Sequence, residues 1–263
     1  KFICMSVKIS HWYGRLGNNI QQCAVGCMVA ELLMTQFESI DHEIISKYQK
    51  SFGYSTQELS SKFFYWEGPY KEVNIPVDHI YRNMRRICKE HIAPHLKIPP
   101  RQIIPDDTVV IHIRSGDIFD QVHPNGHQYT PNPLDFYNKL LSNFERAIVV
   151  TEPDKNNPIV EVLRQNPKVI VQSSSVAEDF ATLMSAKNLA NSGVGTFCVA
   201  AALCSEHVQN FYCTDLMLTE HLNYSMLVGT DINVCQLKLN DYLQVGEWTN
   251  TEDQRNFILE YVL

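Results

Sequence analysis

The chain has 263 residues, of which 44% are hydrophobic and 19% are charged; this balance is ordinary for a globular enzyme and allows one large domain or two small ones. Its formal net charge of -7 argues against nucleic acid as the main partner, because a phosphate backbone requires a positively charged surface. No apolar run approaches the roughly 18 residues that cross a bilayer, and no signal peptide is visible, so we expect no membrane segment in this chain.

Eight cysteines occur, and none of them forms a Cys-x-x-Cys pair. Several lie in apolar helical patterns, where a free thiol behaves as a small hydrophobic group, so most are expected to be reduced. This favours a reducing compartment and hence a cytoplasmic protein. Because the sequence starts at Lys1 rather than at Met, a trimmed N-terminal anchor leaves the Golgi lumen as the alternative.

The N-terminal part predicts a strand, a loop that contains glycine, and a helix. Residues 2–9 are apolar, residues 10–19 carry Gly14 and Gly17, and residues 20–34 have apolar side chains at helical spacing. Such an order presents backbone N–H groups and a helix N-terminus to an anion. The two glycines do not form a dinucleotide-binding fingerprint, and an ordinary strand-to-helix turn explains them without any ligand.

The region from 37 to 107 carries fewer signals. Residues 41–48 are compatible with a helix, residues 62–66 with a strand, and residues 79–91 with an amphipathic helix whose basic side faces solvent. Four prolines lie between residues 93 and 107, which is typical of a linker. We therefore divide the chain into an N-terminal α/β domain, residues 1–97, and a C-terminal α/β domain, residues 98–263.

The central stretch, residues 108–120, changes abruptly from apolar to polar. Residues 109–111 predict a strand buried on both faces of a sheet, and open α/β folds place their function where the chain leaves the carboxyl end of such a strand. Arg114 offers a planar fork of donors suited to a phosphate, Gly116 lets the backbone turn, and Asp117 can hold the arginine in place. A purely structural ion pair between Arg114 and Asp117 is the alternative.

Strands alternate with helices in the rest of the chain. After a long polar loop over residues 119–133, the pattern predicts helices over 133–144, 159–166, 176–186, 197–204 and 251–262, and strands over 147–150, 169–171 and 209–213. This alternation predicts a parallel sheet whose faces are covered by helices. The helix at 197 is preceded by hydroxyl and glycine residues that suit a phosphate but also serve as an ordinary N-cap: Ser192, Gly193, Gly195 and Thr196.

Three blocks of the sequence resemble the fucosyltransferase superfamily, which comprises α1,2-, α1,6- and protein O-fucosyltransferases. His-Ile-Arg-Ser-Gly-Asp at residues 112–117 is similar to its His-x-Arg-x-Gly-Asp signature, and residues 14–22 are similar to its N-terminal Gly-x-x-Gly-Asn-x-x-x-Gln loop. The third block, from Asp179 to the helix at 197, resembles the family's second shared block. It departs from that block because Gly193-Val194-Gly195-Thr196 stands in place of a Ser/Thr-Phe-Ser core.

The resemblance implies a fold and a set of site residues. The fold is two Rossmann-like α/β domains that face each other across a cleft, the GT-B arrangement, in a compact form. In that family the motif arginine, here Arg114, binds the diphosphate of GDP-fucose, and the aspartate, here Asp179, contacts the base or the ribose. The other donor-binding positions implied are Gly14, Gly17, Asn18, Gln22, His112, Gly116, Ser192, Gly193, Gly195 and Thr196.

The function implied is transfer of a sugar, L-fucose from GDP-fucose, to a hydroxyl group of a glycan acceptor. Arg114 would neutralise the leaving diphosphate, and the chain lacks the Asp-x-Asp motif of metal-dependent glycosyltransferases, so neither a metal nor another cofactor is expected. The acceptor hydroxyl needs a base, for which the candidates are Asp117, Asp120, His123 and His11. Two alternatives stay open: the same fold with UDP-xylose or a rhamnose nucleotide as donor, and a non-catalytic glycan-binding domain.

Overall fold

The computed structural model describes residues 6–53, 59–60, 75–120 and 128–263. The strand predicted at 62–66, the first residues of the strand predicted at 2–9, and the candidate base His123 lie outside the described residues. Within the described part, no helix is long and apolar enough to cross a membrane. In this part of the chain the cysteines that form no disulfide are Cys23, Cys27, Cys88, Cys198, Cys204, Cys213 and Cys235.

The N-terminal part forms a four-stranded sheet. Strand β1 (Ser6–Lys8) leads into helix α1 (Leu16–Leu32), and α1 returns the chain to β2 (Gln36–Glu38), which pairs with β1 in parallel. Strand β3 (Gln49–Ser51) pairs antiparallel with β2, and β4 (Leu59–Ser60) pairs in parallel with β1, so the strand order is β3-β2-β1-β4. The predicted order of strand, glycine loop and helix is confirmed.

Two local predictions in this part are wrong. α1 begins at Leu16, four residues before the predicted start; the glycine and asparagines of its first turn have low helix propensity, but burial of residues 16–30 outweighs that propensity. The helix expected over 41–48 is not formed. Nδ1 of His42 accepts the N–H groups of Ile44 (3.0 Å) and Ile45 (3.3 Å), and Ile45 pairs with Leu96, so the backbone groups that a helix needs are engaged elsewhere.

The helix predicted over 79–91 is present as α2 (Val77–Ile87), which continues as a π-helical turn over Cys88–Ile92. The sequence predicted that the basic side of this helix faces solvent, and this prediction is wrong for one residue. Arg85 is buried, forms an ion pair with Asp231, and donates from Nη1 to the carbonyl oxygen of Ala202 at 2.6 Å. This arginine fastens α2 to the C-terminal half of the chain.

The C-terminal part forms a six-stranded sheet in which the strands pair in parallel. In chain order its elements are β5 (Thr108–Ile113), α3 (Leu134–Ser142), β6 (Arg146–Thr151), α4 (Pro158–Leu163), β7 (Val169–Gln172), α5 (Val176–Ser185), β8 (Asn188–Ala190), α6 (Phe197–Cys204), β9 (Asn210–Thr214), β10 (Asn233–Leu237) and α7 (Glu252–Glu260). The residue pattern predicted these elements to within a few residues, apart from the strands β8 and β10.

The spatial order of the strands is β10-β9-β8-β5-β6-β7, which corresponds to the order of a Rossmann-like sheet. β5 lies at the centre, and all of its residues are buried, which confirms the predicted strand covered on both faces. The strand order reverses between β5 and β8. In open α/β sheets, a crevice for ligands forms outside the carboxyl ends of the strands at such a point.

The two sheets share a hydrophobic core. Helices α1 and α2 both pack against α6, and one cluster of buried apolar side chains joins Val7 and Phe37 of the first sheet to Val110 and Phe211 of the second. The fold class is α/β with a Rossmann-like parallel sheet. The division into two domains near residue 97 and the GT-B arrangement stay predictions.

Candidate functional site

A cavity of about 680 Å³ lies at the carboxyl edge of the six-stranded sheet. Residues that follow β5, β6, β7 and β8 line it, so it includes the point where the strand order reverses. The N-terminal part of the chain contributes the start of α1 and residues 42–44. The predicted site residues that the structure brings together on this wall are Gly14, Gly17, Asn18, His112, Arg114, Asp117, Asp179, Gly195 and Thr196.

Two helix N-termini meet at the cavity. The first turns of α1 and α6 approach so closely that a Cβ on Gly17 would lie 2.5 Å from Oγ1 of Thr196 and 2.8 Å from the backbone nitrogen of Phe197. Oγ1 of Thr196 donates a hydrogen bond of 2.8 Å to Oδ1 of Asn18 and joins the two turns. Neither N-cap residue, Arg15 or Thr196, forms a side-chain cap hydrogen bond in the described structure. The site therefore combines the partial positive charges of two helix N-termini.

Arg114 follows β5 and enters the cavity as an oriented cation. Its Nε and Nη2 atoms donate to the Asp117 carboxylate at 2.8–3.2 Å, and its guanidinium carbon lies 3.8 Å from the centre of the Tyr129 ring. Asn157 donates to the Arg114 carbonyl oxygen at 2.9 Å and so fixes the backbone. The Nη1 atom has no hydrogen-bond partner among the described residues. Its two N–H groups are therefore available to donate hydrogen bonds to a bound anion.

A second arginine, Arg15, reaches the same place from the N-terminal part. Its Nη1 atom lies 3.0 Å from Oε1 of Glu152 and its Nη2 atom lies 3.6 Å from Oδ2 of Asp117, while 63% of its side chain stays exposed. Glu152 also accepts the N–H of Ser115 at 2.7 Å. Exposed ion pairs contribute little to stability, so the Arg15–Glu152 pair matters mainly because it places a cation at the cavity and bridges the two sheets.

Two buried polar atoms of residues on the cavity wall have no hydrogen-bond partner among the described residues: Nδ1 of His112 and Oγ1 of Thr151. Burial lowers the pKa of His112 to about 4; the Arg114 cation acts in the same direction and the Glu152 carboxylate opposes it. The imidazole is therefore neutral at neutral pH. Native proteins satisfy most buried polar groups, so two unpaired atoms beside one cavity indicate a wall that is not optimised for stability alone.

Asp179 lies in the first turn of α5, at the β7 end of the cavity. Its carboxylate accepts Nε2 of Gln172 at 2.8 Å and the N–H of Ser174 at 3.2 Å. Burial raises the pKa of the Asp179 carboxyl above its ordinary value, and these hydrogen bonds oppose that rise. A capping box between Ser175 and Glu178 fixes the start of the helix. Asp179 is thus an acceptor held in one orientation.

Three of the predicted site residues, Gln22, His11 and Asp120, lie outside the cavity lining. Gln22 is buried in α1, where it accepts the N–H of Tyr13 and donates to the carbonyl oxygen of His11, each at 3.0 Å, so it orders the glycine loop. His11 and Asp120, two of the candidate bases, are exposed and do not line the cavity.

Gly116, Ser192 and Gly193 also lie outside the lining. The N–H of Gly116 donates to Oδ2 of Asp154 at 2.8 Å, so the amide predicted to approach a ligand is engaged by a carboxylate. Gly193 has a φ of 93° and pairs with Pro131 as an isolated antiparallel bridge. The glycines at these two positions therefore shape loops around the cavity.

Several residues of the wall were not predicted from the sequence: Arg15, Glu43, Thr151 and Glu152. Arg15 lies inside the glycine loop, so its charge was an available signal. Thr151 and Glu152 stand at the carboxyl end of β6, where open α/β folds place functional residues. Glu43 carried no signal, because the segment around it was predicted to be a helix.

A search with models of known protein families and a search of curated proteins find no match to this chain. Among the residues that the structure describes, no group of three or more His, Cys, Asp or Glu side chains is arranged to hold a metal ion.

Proposed function

We propose that this protein is a glycosyltransferase that moves L-fucose from GDP-fucose to a hydroxyl group of a glycan, with protein cations at the diphosphate instead of a metal ion. The observation that carries this proposal is the convergence of Arg114 and two helix N-termini on one cavity, at the reversal point of a Rossmann-like sheet. The choice of GDP-fucose, and of a GT-B arrangement, rests on the resemblance of three sequence blocks to fucosyltransferases.

The proposed chemistry needs positive charge where the diphosphate leaves. Arg114 is held by Asp117 and stacked on Tyr129 before any ligand arrives, so little reorganisation accompanies the reaction. Its Nη1 donors and the N-termini of α1 and α6 would share the negative charge of the leaving group. Arg15 would supply a second cation by exchanging Glu152 for a phosphate oxygen.

The nucleoside would extend from the diphosphate toward Asp179. The strands β8, β5, β6 and β7 stand side by side. At a spacing of roughly 4.8 Å per strand, the α6 end and the β7 end of the cavity are about 14 Å apart. Asp179, fixed by Gln172 and Ser174, is suited to accept hydrogen bonds from a base or from ribose hydroxyls.

A calorimetric titration without added divalent metal tests the proposal. The probes are GDP, UDP, GDP-fucose and UDP-xylose. Binding of the guanine nucleotides alone supports transfer of fucose. A preference for the uracil nucleotides would keep a glycosyltransferase but replace the donor, with UDP-xylose as the first choice. Failure of all four to bind would overturn the donor site and favour a non-catalytic glycan-binding domain.

A further inference from the structure

Four carboxylates line the cavity, and three of them already have partners. Asp117 is bound to Arg114 through both of its oxygens. Glu152 holds Arg15 and the N–H of Ser115. Asp179 accepts two hydrogen bonds at the far end, next to β7. Asp117 and Glu152 are poorly placed to accept a proton from a substrate, because an adjacent arginine stabilises the charged form of each. Asp179 has no such cation, but it lies at the end of the cavity that we assign to the nucleoside.

Glu43 is the fourth carboxylate. It is exposed to the cavity, and within the described part of the chain its carboxylate forms neither a hydrogen bond nor an ion pair. It belongs to the wall that the N-terminal part contributes, whereas Arg114 belongs to the edge of the six-stranded sheet. A general base must be accessible to the attacking hydroxyl group and must not neutralise the cations that hold the diphosphate. Glu43 lines the cavity and forms no ion pair with Arg114 or Arg15 within the described part of the chain.

The turn that carries Glu43 is rigid for a loop. Nδ1 of His42 accepts the N–H groups of Ile44 and Ile45, so the neutral ring carries its proton on Nε2. Burial lowers the pKa of His42, which keeps that ring neutral. Nζ of Lys97 donates to the carbonyl oxygen of His42 at 2.7 Å, and the N–H of Lys97 donates to the carbonyl oxygen of Ile44 at 2.7 Å. Hydrogen bonds on both sides of Glu43 therefore fix its backbone.

We propose that Glu43 is the general base of the transfer, an inference that rests on the glycosyltransferase function proposed above. The acceptor hydroxyl group would give its proton to the Glu43 carboxylate. The oxygen of the acceptor hydroxyl group would form a bond to the anomeric carbon of the donor while the bond from that carbon to the diphosphate oxygen breaks. The nucleoside diphosphate would leave with the electron pair of that bond, stabilised by Arg114 and the two helix N-termini.

Water can replace an unidentified acceptor in the test, because the cavity is open. We would measure the release of GDP from GDP-fucose, or of UDP from UDP-xylose if the uracil nucleotides bind, together with the Kd of the matching nucleoside diphosphate. The variants are Glu43→Gln and, as a matched control, Glu145→Gln, an exposed glutamate next to the amino end of β6. A third variant, Glu43→Ala, is assayed with and without added formate.

Glu43→Gln is expected to slow release by at least about 100-fold, with the Kd changed by less than about twofold. Formate should restore part of the rate to Glu43→Ala, because a small carboxylate can occupy the vacated position, and the control should behave as the wild type. Release by Glu43→Gln at the wild-type rate would overturn the role of Glu43 and leave the proposed function standing. Nucleotide binding without any release by the wild type would overturn the transfer chemistry and the base together. Absence of binding would overturn the proposed function itself.

Discussion

Gly17 of α1 touches Thr196 at the N-cap of α6 with no room for a side chain between them. A Cβ on Gly17 would lie 2.5 Å from Oγ1 of Thr196 and 2.7 Å from its carbonyl carbon. The second of these neighbours is backbone, so rotation of a side chain cannot relieve the contact. The glycine is what lets the N-terminal part and the six-stranded sheet place two helix N-termini at one cavity.

Gly17→Ala is therefore expected to lower stability. In a helix this substitution ordinarily gains up to about 1 kcal/mol, but a forced contact with backbone costs about 1–3 kcal/mol. We expect a net loss and a weaker affinity for GDP, measured by urea unfolding and calorimetry. Gly195→Ala is the control for stability, because the nearest neighbour of a Cβ at that position would be 3.7 Å away. Equal stability of the two variants would show that the helix contact is not tight.

Thr151→Val should stabilise the protein. Oγ1 of Thr151 is buried without a hydrogen-bond partner among the described residues, so its removal is expected to gain about 1 kcal/mol. Thr214 provides a matched contrast, because it also ends a strand and is buried, but its Oγ1 donates to Oδ1 of Asn132 at 2.6 Å. Thr214→Val should lose about 1–3 kcal/mol. Similar losses for both variants would mean that the Thr151 hydroxyl group is satisfied.

Acid should destabilise the protein through His112. Burial gives His112 a pKa of about 4 in the folded state, against about 6.5 in the unfolded chain, so the unfolded chain takes up the proton first. The stability that the neutral ring provides is complete above pH 6.5 and falls as the pH drops toward 4. Between pH 7 and pH 5 the loss is about 2 kcal/mol.

Urea unfolding of wild type and of His112→Gln at both pH values isolates this contribution. The pKa of His221 is also lowered to about 4 by burial, and it remains in both proteins as a common background. The variant should lose less stability on acidification than the wild type. An identical pH dependence would indicate that His112 is not buried in the neutral form.

Arg15→Met should affect ligand binding more than stability. The side chain is 63% exposed, so loss of its ion pair with Glu152 should change the free energy of unfolding by less than about 1 kcal/mol. If Arg15 is a second cation for the diphosphate, the Kd for GDP should rise about tenfold. Arg82→Met removes a comparable exposed pair with Asp78 on α2 and should leave the Kd unchanged. Equal effects of the two variants on the Kd would exclude a role for Arg15.

The central strand and the sheet were predictable from the sequence because their signals are local. Residues 109–111 form a continuous apolar run and become β5, and the alternation of strands and helices gives the parallel sheet. The start of α1 was not predictable, because its glycine and asparagines are poor helix formers and are held by contacts distant in the sequence or in the loop: Gly17 and Asn18 contact Thr196, and Asn19 donates to the carbonyl oxygen of Tyr13. The short strand β8 was not predicted from the sequence either, because three residues are too few to show a periodic pattern.

The candidate site was predictable where a residue follows a strand and less so where it comes from another part of the chain. Arg114 and Asp179 line the cavity as predicted, since each lies at the carboxyl end of the sheet. Gln22 matches a motif but is used to order the glycine loop, which no spacing reveals. Glu43 reaches the cavity through a turn that His42 and Lys97 stabilise, and such long-range contacts leave no pattern in the sequence.

The most direct test of the account is the affinity of Arg114→Ala for GDP, compared with Arg146→Ala, an exposed arginine at the amino end of β6. We predict a loss of affinity of about 100-fold for Arg114→Ala, because charge-assisted hydrogen bonds to the diphosphate disappear, and no change for Arg146→Ala. The double variant Arg114→Ala, Asp117→Asn removes the carboxylate left unpaired and should fold with the same loss of affinity. Wild-type affinity for GDP together with a lower melting temperature would contradict the account and make the Arg114–Asp117 pair a purely structural one.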